Sequence, residues 1–348
     1  MAKFKTLLLS SLLVSSVVLV GCNDEKEKPT TNTTANTTEQ AAPAPAATSD
    51  NSAPKLASKF VTIATGGASG PYNIIGTTLA EIYSTDLKAN SKTQTTGASV
   101  ENINLLNSKK VEMAFVMRDA LSDAVNGLGS FENKKITTVS EIAGLYPNFV
   151  QIITSKKTGI KTISDLKGHR VATGAQNSGV EVNARKLLAG FGITYNDITV
   201  DYLGYAEAVD ALKAGRIDAA FLTSGLPNSS LMELQQGFDL QLVSIPKEGA
   251  EKIMQEYPYF TSMVIPAGTY NNAEDIPTIA IRNALIVRSD LSDDDVYLLT
   301  KTFFESLDKL KSSHQAAKDI SLEEAQKGAI APLHPGAKRY YDEMSKKQ

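Results

Sequence analysis

Two rhythms of apolar and polar residues alternate along most of the chain. Phe60-Val-Thr-Ile-Ala-Thr65 is an apolar run of strand length, and Gly66-Gly-Ala-Ser-Gly70 follows it as a glycine-rich loop. From Pro71 to Leu87 the apolar positions Ile74, Ile75, Leu79, Ile82 and Tyr83 share one helical face. A strand is expected at Lys92–Thr96, a helix from Val100 to Ser108 with Ile103, Leu105 and Leu106 inward, and a strand at Val111–Val116. Strands alternating with helices in this way predict an α/β fold built from βαβ units.

The plan then repeats. His169-Arg-Val-Ala-Thr-Gly174 echoes Thr62-Ile-Ala-Thr-Gly66, and the loop Ala175-Gln-Asn-Ser-Gly179 stands where the first loop stood. A helix follows, with Val182, Ala184, Leu187 and Leu188 apolar. Further on, Leu212-Lys-Ala-Gly-Arg-Ile-Asp-Ala-Ala-Phe-Leu222 parallels Leu106-Asn-Ser-Lys-Lys-Val-Glu-Met-Ala-Phe-Val116 at nearly the same offset. Two matches in register predict two lobes of one design rather than a long repeat array. The length, 348 residues, agrees, since domains run to about 100–200 residues each.

The N-terminus has a different character. Lys3 and Lys5 precede an uncharged stretch from Leu7 to Val20, which ends at Gly21-Cys22. A basic start, a short apolar run and a small-residue site make a secretory signal, too short to span a membrane comfortably, which takes about 20 residues. Leu19-Val20-Gly21-Cys22 resembles a bacterial lipobox. Residues 1–21 are therefore expected to be a lipoprotein signal peptide, with Cys22 the lipidated residue. Residues 22–58 are rich in Thr, Asn, Ala, Pro and Ser and are expected to be a disordered tether between membrane and domain. Cys22 is the single cysteine, so no intrachain disulfide can form. A net charge of −3 argues against a nucleic-acid partner.

Little in the chain looks catalytic. The three histidines, His169, His314 and His334, are scattered, and no paired-cysteine or H-E-x-x-H spacing exists. Neither glycine-rich loop fits a dinucleotide or P-loop pattern. No metal and no cofactor is expected, and the chain is not expected to be an enzyme. The loops point instead to binding: each opens a helix, and the free N–H groups and dipole of a helix start attract anions.

A set of segments taken together resembles a known family. They are Ala64-Thr-Gly-Gly-Ala-Ser-Gly-Pro-Tyr72, Thr96-Gly-Ala-Ser-Val-Glu-Asn102, Leu145-Tyr-Pro147, Ser164-Asp-Leu-Lys-Gly168, Tyr257-Pro-Tyr-Phe-Thr261, Ile265-Pro-Ala-Gly-Thr-Tyr270 and Pro332-Leu-His-Pro-Gly-Ala-Lys-Arg-Tyr-Tyr341. In this order they resemble the TAXI family, the extracytoplasmic solute receptors of TRAP-type transporters. The resemblance implies a type II periplasmic-binding-protein fold, two α/β lobes joined by a hinge with a ligand cleft between them. It implies a small carboxylate ligand, a glutamate-like amino acid or a 2-oxo acid, and delivery to an ion-driven TRAP membrane permease. The lobes are expected at residues 59–146 plus 266–348 and at 147–265, crossing at Leu145–Ile153 and Val264–Val287.

Carried over position by position, the resemblance places Ser69, Tyr72, Ser99, Asn102, Asn177, Ser178, Thr223 and Ser224 at the ligand. Ser99 is equally open to a helix-capping role. The chain departs from the family at Asn73, at Val116-Met-Arg-Asp119 and at Asn177-Ser178-Gly179-Val180, all near the expected pocket. Asn73 and Arg118 therefore join the candidates. Arg118 could grip a carboxylate by two parallel bonds if it faces the cleft, or else reach solvent or pair with Asp119 or Asp123. A lipid-anchored sensor or surface-interaction protein using the same fold is the alternative that the sequence leaves open.

Overall fold

The structure, a computed structural model, describes residues 55–347. The expected signal peptide, Cys22 and most of the tether lie outside the described residues. The tether's last residues do not behave as a tether: Leu56 is buried, and the Ala57 and Ser58 amides donate to Asp295 Oδ1 and Oδ2 at 2.7 and 2.8 Å. The folded body thus begins before residue 59, because one large apolar side chain and one buried carboxylate hold the strand's approach.

In chain order the regular elements are β1 (Phe60–Ala64), α1 (Pro71–Asp86), β2 (Asn90–Gln94), α2 (Ser99–Asn107), β3 (Met113–Met117), α3 (Arg118–Asn126), β4 (Val139–Ser155), β5 (Arg170–Ala172), α4 (Gly179–Gly190) and β6 (Thr199–Asp201). They continue with α5 (Tyr205–Lys213), β7 (Ala219–Ser224), α6 (Ser229–Leu234), β8 (Leu240–Val243), α7 (Lys247–Glu256), β9 (Phe260–Ile265), β10 (Ile276–Arg288), α8 (Asp293–Glu305), α9 (Leu307–Ser313) and α10 (Pro335–Ser345). The expected strands at 92–96 and 111–116 are each displaced by about two residues, and the segments after them carry part of the site.

The strands form one mixed sheet in the order β2-β1-β3-β10-β4-β7-β5-β6, with β8 added on β4 and β9 on β10. β1 pairs in parallel with β2 and β3, and β5 in parallel with β6 and β7. β3, parallel to β1 and antiparallel to β10, is buried at every position, as a central strand covered on both faces should be. On α1, Ile75, Leu79 and Tyr83 are fully buried, and each such side chain contributes roughly 1.5–3 kcal/mol.

Two long strands join the halves. β4 has 17 residues: Val139 to Phe149 bond β10, and Phe149 to Thr154 bond β7. β10 has 13 residues, bonding β9 through Ile276–Ile281 and β3 through Asn283–Val287. Its side chains divide accordingly. Ile279, Ala280 and Ile281 pack into the second half's core, whereas Ala284 to Val287 pack into the first half's. The return to the first half therefore falls near Arg282, later than the expected 266, because residues 266–281 build the second half's sheet before the strand passes across. A register shift between Arg282 and Ala284 marks the passage.

Candidate functional site

A cavity of about 480 Å³ lies between the two halves, within the size range of small-molecule sites. Three helix starts border it. α1 contributes Gly70, Pro71 and Tyr72, α4 contributes Ser178 and Val180, and α5 contributes Gly204 to Glu207. Gly97 and Ala98, just ahead of α2, complete the rim. The first turn of a helix has no intrahelical partners for its N–H groups. Gly70 offers no side-chain cap at α1; Pro71 has no N–H, and the Gly70 and Asn73 amides donate to the Gly67 and Gly70 carbonyls, which leaves the Tyr72 amide as the first-turn donor beside the cavity. Ser178 does cap α4, its Oγ accepting from the Glu181 amide at 3.1 Å, which leaves its own hydroxyl hydrogen available.

The side-chain charge of the cavity is sparse. Among the described residues no lysine, arginine or histidine lines it, and Glu207 is the one charged residue that does. Glu207 Oε2 accepts from the Gly204 amide at 2.7 Å, a cap on its own helix. With no cationic side chain among the described residues of the lining, the helix starts are what the site offers a negative charge.

Of the sequence candidates, Ser69, Tyr72, Ser178, Thr223 and Ser224 line the cavity. Their hydroxyls are not equally free. Tyr72 Oη donates to Asn283 Oδ1 at 2.5 Å, so its ring rather than its hydroxyl serves the cavity. Ser224 Oγ donates to the Gly225 carbonyl and accepts from Gln151 and Asn228, each at 3.1 Å, which exhausts it. Thr223 Oγ1 is buried without a partner.

The remaining candidates stand back from the cavity and shape it. Ser99 Oγ accepts from the Met117 amide at 3.0 Å. Asn102 donates to the Thr65 and Phe115 carbonyls and accepts from Thr96 Oγ1, tying β1, β3 and the loop before α2 together. Asn73 donates to Thr95 Oγ1 at 3.2 Å. Asn177 has a left-handed backbone, φ 61°, and its carbonyl accepts from the Glu101 amide of the other half at 3.2 Å. Arg118 neither grips the cavity nor reaches solvent nor pairs with Asp119 or Asp123: it is buried against Glu141 at 3.0 Å and the Lys327 carbonyl at 2.7 Å. Local spacing could not identify a partner on a separate element, β4.

Sequence reasoning passed over Thr95, Thr96, Asn148, Tyr205 and Glu207, which all line the cavity. Asn148 follows the quoted Leu145-Tyr-Pro147 segment directly, and Gly204 precedes an amphipathic helix, so both carried a usable signal. Tyr205 Oη donates to the Thr223 carbonyl at 2.6 Å. Its ring lies against Gly70, bringing the second half onto the first loop.

Beside the cavity, α3 and α4 meet through a polar cluster. Asn183 Nδ2 donates to Asp119 Oδ2 at 2.5 Å, and Lys186 Nζ lies 2.9 Å from Asp123 and 4.0 Å from Asp119. Lys186 also sits over the rings of Tyr257 and Tyr259. Burial pushes the Asp119 carboxyl up from 3.8 to about 6, opposed by Lys186 and the Ala120 amide and helped by Asp123. Between those two values the folded chain holds a proton that the unfolded chain has lost, so stability falls as pH rises from about 4 to 6. Asp119→Asn should remove that slope, worth on the order of 2–3 kcal/mol. Urea midpoints measured across this range check it, and an unchanged slope would mean that the folded chain holds the Asp119 proton no more tightly than the unfolded chain does.

Among the described residues no cluster of His, Cys, Asp and Glu could hold a metal, and no helix is long and apolar enough to cross a membrane.

A profile described as the NMT1-like family matches residues 63–344. A curated protein of Escherichia coli (strain K12), named for aliphatic sulfonates binding, is 31% identical over 99 residues. That stretch is 27% of this chain and 31% of the relative, so the chain spans about a third of the relative's length. A solved structure from Bordetella bronchiseptica RB50 is similar over 83% of each chain, at 18% identity and a TM-score of 0.52. Another, described as a periplasmic transporter, is similar over 84% of this chain and 94% of its own, at 14% identity and a TM-score of 0.51. At those identities the likeness is one of fold, the mixed two-lobed α/β architecture.

Proposed function

The chain belongs to the NMT1-like family, and on that footing we propose that it is an extracytoplasmic solute-binding protein, not an enzyme, that captures a small carboxylate between its lobes. The finer reading is a TAXI-type receptor, held to the membrane by lipid on Cys22, that passes a glutamate-like amino acid or a 2-oxo acid to a TRAP-type permease. The observation that carries it is the cavity bordered by three helix starts and no cationic side chain. Such a site suits a desolvated anion held by backbone amides and hydroxyls.

Capture works by closure. The halves touch through Glu101 and Asn177, and through Asp119 and Asn183. A ligand that bonds both sets of helix starts favours this closed arrangement, and only its greater affinity for the closed state drives the shift. Closure also excludes water, which strengthens each remaining hydrogen bond.

A thermal-shift screen of carboxylates and sulfonates on the purified chain tests the ligand class. Several carboxylates should raise the melting temperature; no shift from any of them removes the carboxylate reading, and a shift from sulfonates alone replaces it. Sodium-driven uptake of the same anion checks the transporter class, and ATP-driven uptake would exclude a TRAP partner. Cys22→Ala should release the protein from membranes, and its retention there would end the anchor proposal.

A further inference from the structure

Among the described residues, two that line the cavity carry a buried side-chain atom without a hydrogen-bond partner: Thr223, at Oγ1, and Asn148, at Oδ1. Thr223 is 0% exposed and Asn148 3%. They stand on adjacent strands. β4 and β7 are antiparallel with Val150 opposite Thr223 and Phe149 opposite Ser224. Asn148 is therefore the diagonal neighbour of Thr223 on the same face, at roughly 7–8 Å between backbones, so that one bound group can touch both side chains. Three other hydroxyls of the lining are already engaged: Ser224 is saturated, Tyr72 is bound to Asn283, and Tyr205 donates to the Thr223 carbonyl, while Ser178 keeps its hydroxyl hydrogen at the start of α4. Elsewhere the wall is largely apolar, with Met117, Val180, Ala68 and Pro71.

We propose that Asn148 and Thr223 are the specificity-determining pair of this site, reading an uncharged oxo, hydroxyl or amide group on a singly charged ligand. This rests on the carboxylate reading above and narrows it. The helix starts serve one negative charge, and with no cationic lining residue a second charge has nothing to neutralise it. The class is thus a monocarboxylate with a neighbouring polar group, favoured over its plain counterpart and over dicarboxylates. A buried amide and hydroxyl left unpaired penalise any ligand that lacks the matching group. Asn148 also sits where β4 passes between the halves, opposite Ile281 on β10. The group it reads therefore lies beside the strand pair that joins the halves.

Isothermal titration of the purified chain with matched pairs tests this: 2-oxobutyrate against butyrate, 2-oxohexanoate against hexanoate, and 2-oxoglutarate as the dianion. The oxo acids should bind ten- to a hundredfold more tightly than their plain partners and more tightly than the dianion. In Asn148→Leu and in the near-isosteric Thr223→Val that advantage should shrink to under threefold. Equal binding of both members of each pair by the parent, preference for the dianion, or variants that weaken both members alike, overturns the proposal and leaves the carboxylate reading standing. Absence of binding by every carboxylate overturns that reading and this one with it. Thr223→Val carries the test on its own if Asn148→Leu does not fold.

Discussion

Arg118→Ala should lower the unfolding free energy by about 3–5 kcal/mol, the cost of stripping the partner from a buried charge. Arg118 Nη2 lies 3.0 Å from Glu141 Oε2, and Nη1 donates to the Lys327 carbonyl at 2.7 Å. Glu141 is fully buried, and its Oε1 accepts from the Ile330 and Ala331 amides at 2.5 and 3.0 Å. One ion pair thus fastens the segment before α10 onto β4, in the first half. Gly144 shows how closely the pieces fit: a Cβ there would come within 2.7 Å of Arg118 Nη2. Glu141→Gln keeps one acceptor but turns an NH2 toward donors and leaves Arg118 without a counter-charge, so it should cost a similar amount. Urea unfolding measures both variants. Because Arg118 does not line the cavity, ligand affinity measured where the variant is still folded should equal the parent's. A loss of affinity with stability unchanged would return Arg118 to the ligand site.

Gly179→Val should weaken ligand binding roughly ten- to a hundredfold, the overpacking of about 1–3 kcal/mol falling on the closed state alone. Gly179 opens α4 in the second half. A Cβ there would lie 2.7 Å from Ser99 Oγ and would also strike Met117 Cε, both in the first half. The Met117 methyl can swing aside; Ser99 is buried and bonded to the Met117 amide. In an opened molecule the added side chain meets neither, so the ligand-free unfolding midpoint should move little. Titration paired with urea unfolding separates the two effects. Unchanged affinity would show that the halves need not approach this closely to hold the ligand.

Much of the fold was legible because its signals are local. β1 and β3 declared themselves as apolar runs of strand length, and α1 as a face repeating at three and four residues. The start of α8 carries a local signal too: three acids, Asp293 to Asp295, stand in its first turn, and Ser292 Oγ accepts from the Asp295 amide at 3.1 Å. The two glycine-rich loops stood out by composition, and both border the cavity. The length of β4 was not legible. Its Tyr146-Pro147-Asn148 passage contains a proline that reads as a break, yet Pro147 pairs with Arg282 inside the sheet. The return of β10 near Arg282 was missed likewise, because its apolar run continues without a change as it leaves one core for the other.

The sequence by itself determined the elements, their alternation, the doubled plan and the small-residue loops that open the helices. Each depends on residues a few positions apart, where backbone sterics and hydrophobic spacing act directly. Tertiary structure alone decided which polar groups are spent and which are free. Ser224 is held by Gln151 and Asn228, Tyr72 by Asn283 and Arg118 Nη2 by Glu141, while Thr223 Oγ1 and Asn148 Oδ1 are left without partners. A buried hydrogen-bonding group takes its role from whatever the fold brings within about 3 Å of it. For Tyr72 and Arg118 that neighbour, or part of it, comes from more than 200 residues away.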